Sequence, residues 1–351
     1  MDATNSHKTR VVLSDPGELI SAVPLVLGIH PVDSLVVVGL DDKDGITFSL
    51  TLRADLPPRA EHGALADRLV IPLLMNDSAG AILIVVRGTG TDPAQAMPHR
   101  DLVSECSARF TSRGVPVLHK LWTASMTAGA DWRCYDDPES TGTVPDTHDS
   151  PISDACAAAG LVVYDRREDL AAILAPVPDD LLARRADLLS AAYLPGGHPS
   201  ISGRAGLELV ETWVDRAMSR NLPLSDEDIV RVTVALSDHA VRDACLELGS
   251  PAREAAGEHL WTTLVRNTPA PERAEAASLL AFAAYRRGDG VFAAIAIECA
   301  LDADPSHRLS GLVDAALSVG LPPGNMRHAA TRAAIAARSQ LAGTASEVPE
   351  Q

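Results

Sequence analysis

Two short stretches carry residue types suited to holding an anion. Ser14-Asp15-Pro16-Gly17 follows the apolar run Val11-Val12-Leu13, and Arg87-Gly88-Thr89-Gly90-Thr91-Asp92 follows Ala81 to Val86. Each reads as a loop from a strand end into a helix start. Backbone N–H groups at a helix start attract negative charge, and glycine lets a ligand approach the chain closely. Arg87 adds a guanidinium for a charge-assisted contact with phosphate or carboxylate. In open α/β sheets, ligands gather at such strand ends. The same residues also suit plain capped turns, where the acidic caps Asp15 and Asp92 compete with an anion. The Gly-x-Gly lacks the third glycine and the later acid of a dinucleotide fingerprint, and no Walker-type Gly-Lys-Ser/Thr occurs.

A second group is His30, Asp33, Ser34 and Arg53. A Ser-His-Asp reading needs the hydroxyl within reach of the ring and an acid to orient it. Neighbours this close in sequence rarely achieve that, and there is no Gly-x-Ser-x-Gly elbow. A turn stabilised by Asp33, with a salt bridge to Arg53 across a hairpin, is the simpler reading. A third group, Gly196 to Gly203 (GGHPSISG), reads as a linker or as a clamp loop. The ligand-binding candidates are therefore Ser14, Asp15, Asp33, Arg53, Arg87, Gly88, Thr89 and Gly90. No residue takes a catalytic or metal-binding role, and no motif indicates a cofactor.

The elements that must position these residues change character along the chain. The first part alternates strand and helix. Asp15-Pro16-Gly17-Glu18 starts a helix to about Leu27, ended by Gly28. Ser34 to Leu40 (SLVVVGL) reads as a strand buried on both faces. Asp41 to Gly45 turns it into an antiparallel partner over Ile46 to Leu56. A helix over 58–75, a strand over Ala81 to Val86, a helix from Asp92 to about Arg113 and a strand over Val115 to Trp122 follow. Residues 136–151 read as an acidic surface loop. Helix 152–159, strand Leu161 to Tyr164 and helix 166–175 close this part. Such alternation predicts a mixed, mostly parallel sheet with one antiparallel hairpin.

From Ala205 onward the pattern is helical. Leu207, Val210, Val214 and Ala217 share one face, as do Ile229, Val232, Thr233 and Leu236. Helix starts fall near 206, 226, 240, 252, 272, 290, 306 and 323, giving hairpins about 33 residues apart. One hairpin, with Leu280, Ala281, Gly288, Ala293, Ala300 and Pro305, is tetratricopeptide-like; the others match only in length, and an ordinary helical bundle fits them equally. The expected organisation is an α/β domain over 1–195, a linker over 196–204, an all-helical domain over 205–341 and a frayed tail over 342–351. Trp213 and Trp261 lie on apolar faces and read as core.

Composition removes several functions. The 351 residues carry a net charge of −17, with 12 basic and 20 acidic groups in residues 1–150 and 18 and 27 in the rest. No basic face stands out and aromatics are 3%, which argues against nucleic acid and against an anionic membrane surface. No apolar run reaches the roughly 18 residues of a membrane helix. The five cysteines, Cys106, Cys134, Cys156, Cys245 and Cys299, are scattered and form no CxxC, as expected of reduced thiols in a cytoplasm. Met1 to Arg10 is polar and reads as no export signal. Arginine supplies 27 of the 30 basic residues, a bias that G/C-rich coding explains, so arginine number alone marks no site.

Particular residues carry a family resemblance. Leu13-Ser14-Asp15-Pro16-Gly17-Glu18-Leu19-Ile20 and Gly28-Ile29-His30-Pro31-Val32-Asp33-Ser34-Leu35 open the match. Leu279 to Ala283, Gly288-Asp289-Gly290, Ala300 to Pro305 and Gly320 to Pro323 continue it. Together they resemble an actinobacterial family, domain of unknown function 4192. The resemblance implies a cytoplasmic bacterial protein and brings no activity with it. Many relatives carry a cysteine-rich Asp-Pro turn where this chain has only Cys134 beside Asp136-Asp137-Pro138, so a metal or disulfide role there does not transfer.

Two functions from different classes follow. The leading one is a non-enzymatic interaction or regulatory protein whose helical array meets a protein or peptide partner. The alternative is a small-molecule or anionic-ligand binding protein, or a transferase-like or hydrolase-like enzyme, at the strand-end rim. Convergence of Arg53 and Arg87 on one pocket would favour the alternative. An open groove along the helices would favour the first.

Overall fold

The computed structural model describes residues 15–41, 47–87, 97–146, 162–194, 201–219 and 222–343. The expected strand Val11 to Leu13, residues 42–45 of the expected Asp41 to Gly45 turn, Gly88 to Asp92 and helix 152–159 lie outside these residues. The chain forms two compact units, Met1–Leu170 and Ala171–Gln351.

The first unit is built on a six-stranded sheet. Its strands are β1 (Ser34–Asp41), β2 (Thr47–Asp55), β3 (Gly80–Val86), β4 (Val117–Thr123), β5 (Asp131–Cys134) and β6 (Thr141–Thr143), in the order β2-β1-β3-β4-β5-β6. Its helices are α1 (Pro16–Leu27), α2 (His62–Met75) and α3 (Arg100–Ser112). Asp15 caps α1, accepting from the Gly17 and Glu18 amides at 2.6 and 3.1 Å. Gly28 ends α1 at φ 70°, a left-handed conformation that glycine adopts without steric cost.

The sheet is mixed but not mostly parallel. β1 is antiparallel to both β2 and β3, β5 is antiparallel to β4 and β6, and only β3 and β4 pair in parallel. The reason lies in the first crossover. The unit β2-α2-β3 does join two strands of the same direction, as strand–helix–strand order requires, but it steps over β1. The two parallel strands are therefore not neighbours. β3-α3-β4 makes the adjacent parallel pair. β5 precedes the stretch 136–151 expected to be loop and β6 lies within it; both are short and near the sheet edge, so they show no apolar pattern.

Alternation along the strands divides the core between two faces. Leu35, Val37, Leu83 and Val85 pack with Leu65, Leu69 and Leu73 of α2 and Leu102, Cys106 and Phe110 of α3. Val36, Val38, Ile82 and Ile84 face the other way, towards α1, whose Gly17 approaches Trp132 closely. β1 is buried on both faces and flanked on both edges, which accounts for its unbroken apolar run.

In the second unit, α4 (Arg167–Ala171) straddles the division. It is followed by α5 (Asp179–Ala192), α6 (Gly203–Ala217), α7 (Asp226–Leu236), α8 (His239–Ala244), α9 (Pro251–Asn267), α10 (Arg273–Arg287), α11 (Gly290–Ala303), α12 (Arg308–Ser318) and α13 (Pro323–Gly343). The starts lie within three residues of those expected, because caps mark them: the Ser225 capping box, Asp238, Ser250 before Pro251, and Asp289. α5 groups with this unit although a boundary was expected over 196–204. Arg185, almost fully buried, bonds Asp226 at 2.9 Å and the Asn267 side chain at 2.9 Å. Trp213 and Trp261 are buried, as their faces predict.

Ala281, Ala284, Ala293, Ala296 and Ala300 of α10 and α11 are all fully buried, and of the expected hairpins those starting near 206 and 272 pack as adjacent helix pairs, α6 on α7 and α10 on α11. They do not stack as a nearest-neighbour array. α13 returns to pack on α6 and α8, and α10 is enclosed by α7, α9, α11, α12 and α13. Residues Ala276 to Tyr285 are consequently buried all round, the mark of a helix inside a bundle. Among the described residues no helix is long and apolar enough to cross a membrane.

Candidate functional site

Register brings the candidate segments to one end of the sheet. Ser34 at the start of β1 pairs with Asp55 at the end of β2 and with Val86 at the end of β3. The Arg87 amide donates to Thr123 O, adding the end of β4. α2 and α3 both begin near this rim. Asp33, Ser34, Arg53 and Arg87 are thus rim residues. Ser14, Gly88, Thr89 and Gly90 lie outside the described residues. Asp15 is committed to capping α1.

The rim has two sides, and the two candidate arginines are on different ones. Arg53 pairs with Val36, so it shares the α1 face of the sheet with Ser34 and Asp55. Its Nε donates to Ser34 Oγ at 2.9 Å, and its guanidinium meets Asp55 at 2.6 Å. The expected Asp33–Arg53 bridge is replaced by this Asp55 pair, because Asp55 sits two positions along on the same strand face. The Ser34 hydroxyl donates to Val32 O at 2.7 Å, away from any nucleophilic role. His30 Nδ1 is buried without a hydrogen bond, and burial holds its pKa down. No Ser-His-Asp relay forms.

Arg87 instead reaches the head of α3. Its Nη1 lies 2.8 Å from His99 Nε2. His99 precedes α3 at φ 54°, a left-handed conformation uncommon for a residue with a Cβ, and its side chain makes no cap bond. Burial, then the Arg87 cation and His62, hold its pKa below the ordinary histidine value, while Asp33 opposes them. Asp33 also has positive φ, 45°.

Beside this pair is an open cleft of 410 Å³ lined by Pro57, Arg59, His62, Met97, His99, Arg100 and Asp101. Arg100 stacks 5.7 Å from the Tyr135 ring and donates to Tyr135 O at 3.2 Å. The Tyr135 hydroxyl in turn donates to Pro98 O, and burial pushes its pKa up, so it stays protonated. This holds the Pro98-His99-Arg100 turn against the core. Arg59 pairs with Asp101 at 2.9 Å, but both are largely exposed and the pair is worth little. The lining therefore carries two arginines and two histidines against one carboxylate, with Arg87 alongside.

No local signal marks Arg59, His62, His99 or Arg100. They lie up to 41 positions apart in no motif. The helix expected from Asp92 puts His99 and Arg100 in its interior, whereas the described helix begins at Arg100. Pro98 just ahead of it was the usable signal, since the residue before a proline disfavours helix. Among the described residues no cluster of His, Cys, Asp or Glu could hold a metal ion.

Among protein families, the one described as Domain of unknown function (DUF4192) matches residues 16–324. No curated protein and no solved structure matches the chain.

Proposed function

We propose a function for this chain, which belongs to the family Domain of unknown function (DUF4192): its α/β unit binds a small phosphorylated or carboxylated molecule in the cleft beside Arg87. The observation that carries this reading is the convergence of Arg59, His62, His99 and Arg100 on one cleft, with Asp101 as the one acidic lining residue among the described residues. In a chain of net charge −17, a local cationic concentration stands against the background. Arginine forks suit the planar oxygens of phosphate and carboxylate. The left-handed backbone at His99 is a local cost at the same place, consistent with a position kept for binding.

The reading is binding rather than turnover. Among the described residues the lining holds no serine, threonine or cysteine to serve as a nucleophile. Arg53, with its own carboxylate on the other face, has no part in the cleft. Partner binding by an open helical array has less support, because α13 closes the helices on themselves.

A calorimetric or thermal-shift screen with phosphate, pyrophosphate, nucleotides and di- and tricarboxylates tests the reading. A response is expected for at least one class and should weaken in Arg87→Ala and Arg59→Ala, with Arg53→Ala unchanged. A response lost equally in Arg53→Ala, or none to any anion, would count against it.

A further inference from the structure

The contact between Arg87 and His99 constrains the ring. Arginine has donors only, so Nε2 of His99 must present its lone pair and the imidazole must be neutral. Among the described residues, the groups around the ring come from several neighbouring elements. They are Arg87 at the end of β3, His62 and Arg59 at the head of α2, Asp33 ahead of β1, and Arg100 and Asp101 in the first turn of α3. Asp101 is occupied by Arg59 at 2.9 Å.

We propose that His99 makes the cleft a proton-gated site for dianions such as phosphate monoesters; this rests on the anion-binding reading above. His99 Nε2 takes one proton from solvent. It becomes a donor, the hydrogen bond from Arg87 breaks, and imidazolium and guanidinium repel. In the empty cleft that repulsion opposes protonation. A dianion accepts from both groups at once and turns the repulsion into two attractive contacts. Binding therefore draws a proton on, and acid in turn draws the dianion on, because the linkage is reciprocal. A monoanion offsets less of the repulsion and gains less from acid.

The test uses the full chain and sulfate, which stays doubly charged where phosphate titrates. Sulfate affinity is measured near pH 7.5 and pH 5.5 in the wild type and in His99→Gln. Glutamine can still accept from Arg87 through Oε1 but takes no proton. Wild-type affinity should rise on acidification, by up to about tenfold per pH unit between the free and bound midpoints of His99. His99→Gln should be flat. With ¹⁵N-labelled histidine, sulfate should move the His99 midpoint upward. Wild-type pH dependence retained in His99→Gln would overturn the proposal and place the proton elsewhere, His62 being the neighbour. If His99→Gln fails to fold, a wild-type His99 midpoint unmoved by sulfate overturns it equally. Sulfate binding without pH dependence removes the gate and leaves the anion site standing, whereas no sulfate binding at either pH removes both.

Discussion

Arg87 and His99, twelve positions apart, share a hydrogen bond of 2.8 Å from guanidinium to imidazole. One residue ends a buried strand and the other heads a helix. Their contact ties the sheet rim to the α3 start and fixes the ring as neutral, with its proton on Nδ1. That link places the Arg87 cation beside the cleft.

The two rim arginines should behave differently. Arg87→Ala removes a cleft cation and should weaken binding of a responsive anion about tenfold to a hundredfold, the range for a hydrogen bond to a charged group. Arg53→Ala removes a contact with Ser34 and Asp55 on the other face and should leave affinity within error. Calorimetry on both variants compares them directly. Equal losses would mean the faces are not separate.

The free protein should lose stability in mild acid. His99 and His30 are both held below 6.5, by burial first in each case. As pH falls below that value the unfolded chain takes up protons that the folded chain refuses, so stability falls. Above it both rings are neutral in both states and their contribution is complete. Thermal melts between about pH 8 and 5 should show this, with a smaller drop in His99→Gln. An acid response identical in the two proteins would contradict the assignment to His99.

Closure of the helical bundle can be tested at Arg338. Its guanidinium bonds Glu211 of α6 at 2.7 Å and the Ala244 and Glu247 carbonyls at 3.2 and 3.4 Å. Arg338→Ala should cost about 1–3 kcal/mol by leaving these groups without their partner. Hydrogen exchange should quicken in α6 and α8 as well as in α13. Faster exchange confined to α13 would argue that the helix is only loosely docked.

Thiol reactivity should follow burial. Cys106 and Cys245 are buried, and burial pushes each pKa up to about 12. Neither should react with iodoacetamide near pH 8 in the folded protein, and both should react once it is unfolded. Mass spectrometry of native, alkylated protein reads this out. Rapid native labelling of Cys106 would contradict the packing of α3 on the sheet.

Most of the fold was legible because its signals are local. The caps at Asp15, Ser225, Asp238 and Ser250 mark helix starts within three residues, and SLVVVGL could only be a strand buried on both faces. What failed was non-local. Nothing in the residues of β2, α2 and β3 says that their crossover steps over β1, so the sheet was read as mostly parallel. Nothing in α13 alone says that it folds back onto α6. The site failed for the same reason. Arg53 and Arg87 both lie at strand ends, but the period-two alternation that sends them to opposite faces depends on register. The cleft residues His62 and His99 meet only through packing of two separate helix starts.

The most direct measurement is an amide NMR titration of the full chain with pyrophosphate. Shifts are expected at Arg59, His62, His99, Arg100 and Arg87 that saturate together, with Arg53 and α6 to α13 unmoved. Saturating shifts in the helical unit with the cleft unmoved, or none in either unit, would contradict it.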